Sequence, residues 1–132
     1  MGYRFVTLGS DARILAAGSP QLLAPMRAAH PPAAPGAAGI MADWGADVIK
    51  VESPEGDPMR RFFDTIGSDQ DANPVFELDN RGKRAVVLDI RSDLGREALK
   101  ALVATADIFL TNVRPAALAR AGLDNDTLMA VN

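Results

Sequence analysis

Three short runs of β-branched and apolar residues punctuate the chain, and each ends abruptly in a charged or turn-forming residue. In residues 47–51, Val48, Ile49 and Val51 predict a strand, interrupted by Lys50 and closed by Glu52, Pro54 and Gly56-Asp57-Pro58. Residues 85–90, AVVLDI, predict a second strand, and residues 106–113, ADIFLTNV, a third. Between these two, Ser92 stands where it caps a helix with Leu94, Ala98, Leu99 and Leu102 on one face. A strand–helix–strand unit with so short a return sets its strands parallel, through a right-handed crossover. Pro115 opens a further helix over residues 116–121, Gly122 ends it, and Asp124 or Asn125 caps a last one.

The first part of the chain is less legible. YRFVTL reads as a strand, and ARILAAG as another strand or a helix start. AAHPPAAPGAAG, residues 28–39, reads as a Pro-broken loop running into a short helix of small residues over 36–44, with Gly45 as its end. Residues 53–82 show little periodicity and read as one long loop, a length that in compact domains marks function or disorder. The expected architecture is α/β with a parallel, Rossmann-like sheet. Residues 1–32 form a poorly defined N-terminal segment and residues 33–132 the α/β domain.

Composition narrows the function. The 132 residues suit about one domain, and their formal net charge of -3 argues against bulk nucleic-acid binding. Without cysteine there is no disulfide, thiol nucleophile or thiolate-held zinc. The single histidine, His30, lies in a Pro/Ala-rich stretch, so neither a metal site nor a catalytic triad is expected. No apolar run approaches the roughly 18 residues of a membrane span. Asp11 and Arg13 cut short any signal-peptide core, and Val6 stands where a myristoylation signal wants a hydroxyl. A cytoplasmic location is the expectation that remains.

In open parallel sheets, ligands bind beyond the carboxyl ends of the strands. Those ends are Glu52-Ser53, Asp89-Ile90-Arg91 and Asn112-Val113-Arg114, with Arg120 about two helical turns further on. A ring of guanidinium groups suits a polyphosphate, which arginine grips bidentately. Arg81, Lys83 and Arg84 add positive charge just before the second strand. Each charge taken singly is equally compatible with a solvated surface, and Lys50 and Glu52 with the polar face of an edge strand. A dinucleotide site is a competing reading, since Gly36-x-x-Gly39 opens a helix and the next strand ends in an acid, but the three-glycine fingerprint is incomplete.

The stretches AAPGAAGIMADWGADVIKVESPEGDPMR and LDNRGKRAVVLDIRSDLGREALKALVATADIFLTNVRPAALARAGLD, in this order, resemble the N-terminal portion of the family III CoA-transferases. That family includes formyl-CoA transferase, carnitine CoA-transferase and α-methylacyl-CoA racemase. The resemblance covers residues 33–132. It implies an incomplete α/β CoA-binding domain whose substrate is coenzyme A or an acyl-CoA, with a carboxylic acid as acceptor and no covalently bound cofactor. Carried over, the CoA-binding positions are Ala33, Leu88, Asp89, Ile90, Arg91, Asn112, Val113, Arg114 and Arg120, with Lys83 and Arg84 as supporting charges. Glu52 is then structural, and the ESPEGDP loop forms a wall. Where formyl-CoA transferase has an arginine after the strand glutamate, this chain has Ser53; Ala33-Ala34-Pro35 and Ala116 likewise replace glycine-containing sequences. The transferases' nucleophilic aspartate and the racemase's acid–base pair fall beyond the matching segment, so no catalytic residue is assigned. The resemblance also implies interlocked dimers, as a homo-oligomer or with a complementing chain. A racemase fragment and a non-catalytic CoA-binding or dimerising module remain as alternatives.

Overall fold

Strand β1 (Arg4–Leu8) runs through the middle of a four-stranded sheet, flanked by β2 (Asp47–Glu52) on one side and β4 (Ile108–Thr111) on the other, with β3 (Arg84–Val87) beyond β2. All three pairings are parallel, with Phe5 opposite Val48 and Ile108, and Val51 opposite Val86. The structure is a computed structural model and describes residues 2–8, 33–61 and 73–131. The expected α/β architecture with a parallel sheet is therefore present. Its strand order, β3-β2-β1-β4, reverses direction between β1 and β4, the kind of point where doubly wound sheets open a crevice.

Strand parity sorts the core into two layers. Val6, Leu8, Ile49 and Val51 face one way and pack with Leu99 and Val103 of helix α3 (Asp93–Val103), Leu118 of α4 (Pro115–Arg120), and Leu128 of α5 (Asn125–Met129). Phe5 and Val48 face the other way, against Ala38 of α1 (Ala33–Asp43). Because β1 and β2 are covered on both faces, their residues are almost continuously buried.

Helix α1 begins at residue 33, three residues before the position expected from sequence, and takes in part of the Pro/Ala stretch read as a loop. Pro35 falls in the first turn, where its missing N–H has no intrahelical partner to lose. At the other end Gly45, at φ 91°, donates to the Ala42 carbonyl and Ala46 donates to that of Met41, the paired bonds of a Schellman stop. The expected long loop over residues 53–82 is also corrected. It contains a 3₁₀ turn (Pro58–Arg61) and helix α2 (Pro74–Asn80), whose seven residues are too few to display a period. Asn73 caps α2 by accepting from the Phe76 N–H at 2.9 Å, and Pro74 opens it. The earlier ARILAAG reading lies outside the described residues.

Gly36 and Gly39 lie on the face of α1 that meets α2. A Cβ at Gly39 would stand 3.1 Å from the Asp79 carbonyl oxygen, and one at Gly36 3.5 Å from a carboxylate oxygen of Asp79. The glycines that suggested a dinucleotide loop thus serve a close helix–helix approach. Two further expectations shift. β3 stops at Val87 because its partner β2 stops at Glu52, the last rung being Leu88 N–H to the Glu52 carbonyl at 2.9 Å. In α3 the buried face is Gly95, Leu99 and Val103, while Leu94, expected inside, is 80% exposed. Ser92 caps α3 and Asp124 caps α5, both as expected.

Candidate functional site

Beyond the carboxyl ends of β1, β2 and β4 and the loop after β3 lies a cavity of about 730 Å³. Leu8 and Val51 contribute to its floor, the turn after β2 one wall, the β3–α3 loop a second, and the β4–α4 connection a third. At the switch point Thr111 ties the end of edge strand β4 to that of β1: its hydroxyl donates to the Leu8 carbonyl at 2.7 Å and accepts from Val113 N–H at 3.1 Å.

The β2 wall explains why that strand ends in charge. Lys50, Glu52 and Asp57 have side chains only 5%, 5% and 3% exposed, and they are paired with one another. Lys50 forms an ion pair with Asp57 and lies 3.5 Å from Glu52. Glu52 accepts from both Nε and Nη2 of Arg60, at 3.1 and 2.8 Å, and from the Asp57 N–H at 3.2 Å. Asp57 in turn accepts from the Met59 N–H at 2.9 Å. Burial pushes the Glu52 carboxyl up, but the Arg60 bond and the Lys50 and Arg60 charges outweigh it and hold it below its usual range. Phe76 of α2 carries both cations on its ring, Arg60 at 4.3 Å and Lys50 at 4.6 Å from the centroid. Between β2 and the 3₁₀ turn, Ser53-Pro54-Glu55-Gly56 form a tight turn closed by Gly56 N–H to the Ser53 carbonyl at 2.8 Å, with Gly56 at φ 80°.

The β3–α3 wall is organised by its own polar groups. Asp89 accepts from the Arg91 N–H at 3.1 Å and from its guanidinium at 2.7 Å. Ser92 donates its hydroxyl to the Asp89 carbonyl at 2.8 Å, and Arg96 donates to the Arg91 carbonyl at 2.9 Å. Gly95 is required here, since a Cβ would fall 2.0 Å from the Asp89 carbonyl oxygen. Arg91 reaches across to Glu55 of the opposite wall at 2.9 Å.

Seven of the CoA-binding positions expected from the sequence line this cavity, Leu88, Asp89, Ile90, Arg91, Asn112, Val113 and Arg114, together with the strand end Glu52-Ser53. Ala33, Lys83, Arg84 and Arg120 are not among its lining residues. Ala33 is the first residue of α1. Lys83 is drawn under that helix, donating to the Pro35 carbonyl at 2.7 Å; burial and the positive charge of Lys50 lower its pKa to about 8. Arg84 begins β3 at the opposite, amino-terminal end of the strands, where it and Arg4 share the Asp47 carboxylate. Arg120 closes α4. The sequence reading missed Arg61, which enters the lining from the 3₁₀ turn; Glu55 lies in the ESPEGDP loop expected to form a wall, but was given no role of its own. Their signal was present in the charged turn after β2, but only the turn's closure brings them to the cavity. Among the described residues, no group of acidic or histidine side chains could hold a metal ion, and no helix is long and apolar enough to cross a membrane.

Residues 27–132 match the model of CoA-transferase family III. The chain belongs to this family. Among its relatives, the cinnamoyl-CoA:phenyllactate CoA-transferase of Clostridium sporogenes is 46% identical over 98 residues, covering 73% of this chain and 24% of that enzyme. The (R)-2-hydroxy-4-methylpentanoate CoA-transferase of Clostridioides difficile is 45% identical over 98 residues, covering 73% of this chain and 25% of that protein. The fold agrees with that of a CaiB/BaiF family protein from Brucella suis: the TM-score is 0.69 at 35% identity, over 99% of this chain and 30% of that one. The chain therefore spans about a quarter of the length of these two CoA-transferases and 30% of the Brucella protein, and the architecture is that of an N-terminal portion of the family fold.

Proposed function

We propose that the cavity binds the phosphate-bearing end of a CoA thioester, and that the chain is the CoA-binding portion of an enzyme moving CoA from an acyl-CoA to a carboxylic acid. The observation that carries this reading is the convergence of Arg61, Arg91 and Arg114, from three separate loops, on one cavity at the sheet's switch point. Guanidinium groups converging from different loops suit a ligand with several phosphates. Backbone and side chains of Leu88, Ile90 and Val113 offer an apolar surface for the adenine, beside polar Asp89 and Asn112. Ala33, Lys83, Arg84 and Arg120 are not needed for this grip. No nucleophile is assigned among these residues. Transferase rather than racemase is preferred because the relatives described above are named as CoA-transferases. Exposed Val87 on β3 and Ile108 on β4 leave apolar surface on both outer strands, which supports association with a second subunit or a complementing chain. A cytoplasmic setting fits the absence of cysteine.

Calorimetric titration of the chain with CoA, beside an Arg91→Ala, Arg114→Ala double variant, tests the reading. Loss of two charge-assisted contacts lowers affinity by at least about tenfold. Equal binding by the variant, or no binding by the folded chain, overturns it.

A further inference from the structure

The Glu55–Arg91 contact links the two loops that face each other across the cavity, the turn after β2 and the loop after β3. The Glu55 side chain is half exposed, but it projects from a held turn. Its turn is closed by the Ser53–Gly56 bond and anchored on both flanks, by Glu52 through Arg60 and by Asp57 through Lys50. Arg91 is likewise oriented, by Asp89 two residues away. The Nη2 group of Arg91 meets Glu55 at 2.9 Å and Asp89 at 3.2 Å, so its donors already serve two carboxylates. Guanidinium donors are directional and finite, and a phosphate gripped bidentately needs two of them on one edge. We propose that the Glu55 carboxylate and a ligand phosphate compete for Arg91, which makes Glu55 a specificity-determining residue of this cavity. A phosphate, with more charge and more acceptor oxygens than a carboxylate, meets this competition better than a simple carboxylic acid does.

The inference rests on the reading of the cavity as a CoA site, and two probes separate the two claims. Inorganic pyrophosphate and CoA are each titrated into the chain, into Glu55→Gln, into Arg91→Ala and into the double variant. Glu55 is half exposed, so the glutamine variant folds as the parent does. Removing the competitor raises affinity for both probes about two- to fivefold, the worth of an exposed ion pair, and the gain vanishes in the Arg91→Ala background. A gain for pyrophosphate with no CoA binding by any form supports competition at Arg91 and overturns the CoA reading. Binding that is unchanged or weakened by Glu55→Gln, or a gain that persists without Arg91, overturns the competition and leaves the CoA reading standing. Absence of binding for both probes overturns both.

Discussion

On the β2 side of the cavity, Lys50, Glu52 and Asp57 are sunk among one another and beneath Phe76; on the β3–α3 side, Arg91 stands 63% exposed between Asp89 and Glu55. The two walls carry similar residue types and use them in opposite ways. A buried charge loses its hydration, so it must be matched on nearly every polar atom, and the matched set then fixes backbone geometry. An exposed charge keeps its water, gains little from any one partner, and exchanges partners at small cost. The first arrangement builds a wall; the second leaves a hand free to take a ligand. Lys50 and Arg91 are thus both paired cations, but only Arg91 keeps its water and can change partners.

Removing one buried partner is the harshest way to break this contrast. Lys50→Ala strands buried Asp57 without its cation, leaves Glu52 to Arg60 alone, and costs about 3–5 kcal/mol, read as a fall in the urea midpoint. A smaller effect comes from Gly95→Ala, which forces a methyl into the Asp89 carbonyl and costs about 1–3 kcal/mol while shifting the β3–α3 wall and weakening CoA binding. If the walls move independently, Gly95→Ala leaves amide exchange in the Ser53–Gly56 turn unchanged.

Lys83 adds a pH signature. Burial lowers its folded pKa to about 8, below the roughly 10.4 of an unfolded lysine, so the unfolded chain holds the extra proton between those values. This group's contribution to stability therefore rises with pH from about 8 to about 10.4, and is smallest below 8 where the folded protein carries the buried charge. Denaturation midpoints across that interval show the slope, and Lys83→Met flattens it. The mildest change is Arg84→Ala at the far end of the sheet: it leaves the midpoint and CoA affinity where they were, because Asp47 keeps Arg4 and both are exposed.

Much of this was legible from local pattern. The strands of β-branched residues, the Ser92 and Asp124 caps and the Pro115 start are written in contiguous residues, and their order alone implied a parallel sheet. What was hidden depends on contacts between distant residues. α2 has no readable period and is held by Asn73, whose side-chain amide reaches the Met59 carbonyl. The orientation of α3 misled because Leu94 is apolar yet lies on the outer face. At the cavity, the strand-end rule placed Arg91 and Arg114 in the lining, while Arg84, the first residue of β3, lies at the opposite end of that strand. Arg61 and Glu55 required the closed turn.

The central position of β1 also bears on the order in which the protein can assemble during synthesis. Thr111 of β4 bonds Leu8 of β1 across a separation of 103 residues. Among the described strands β1 leaves the ribosome first and β4 last, so one flank of β1 stays unpaired until residues 108–111 follow. Pairing with β2 can begin sooner, but the edge between β1 and β4 is closed only once β4 has emerged. The contact that shapes the cavity floor is thus among the slowest to be made, and a nascent chain stalled before residue 108 presents an open strand edge to its surroundings.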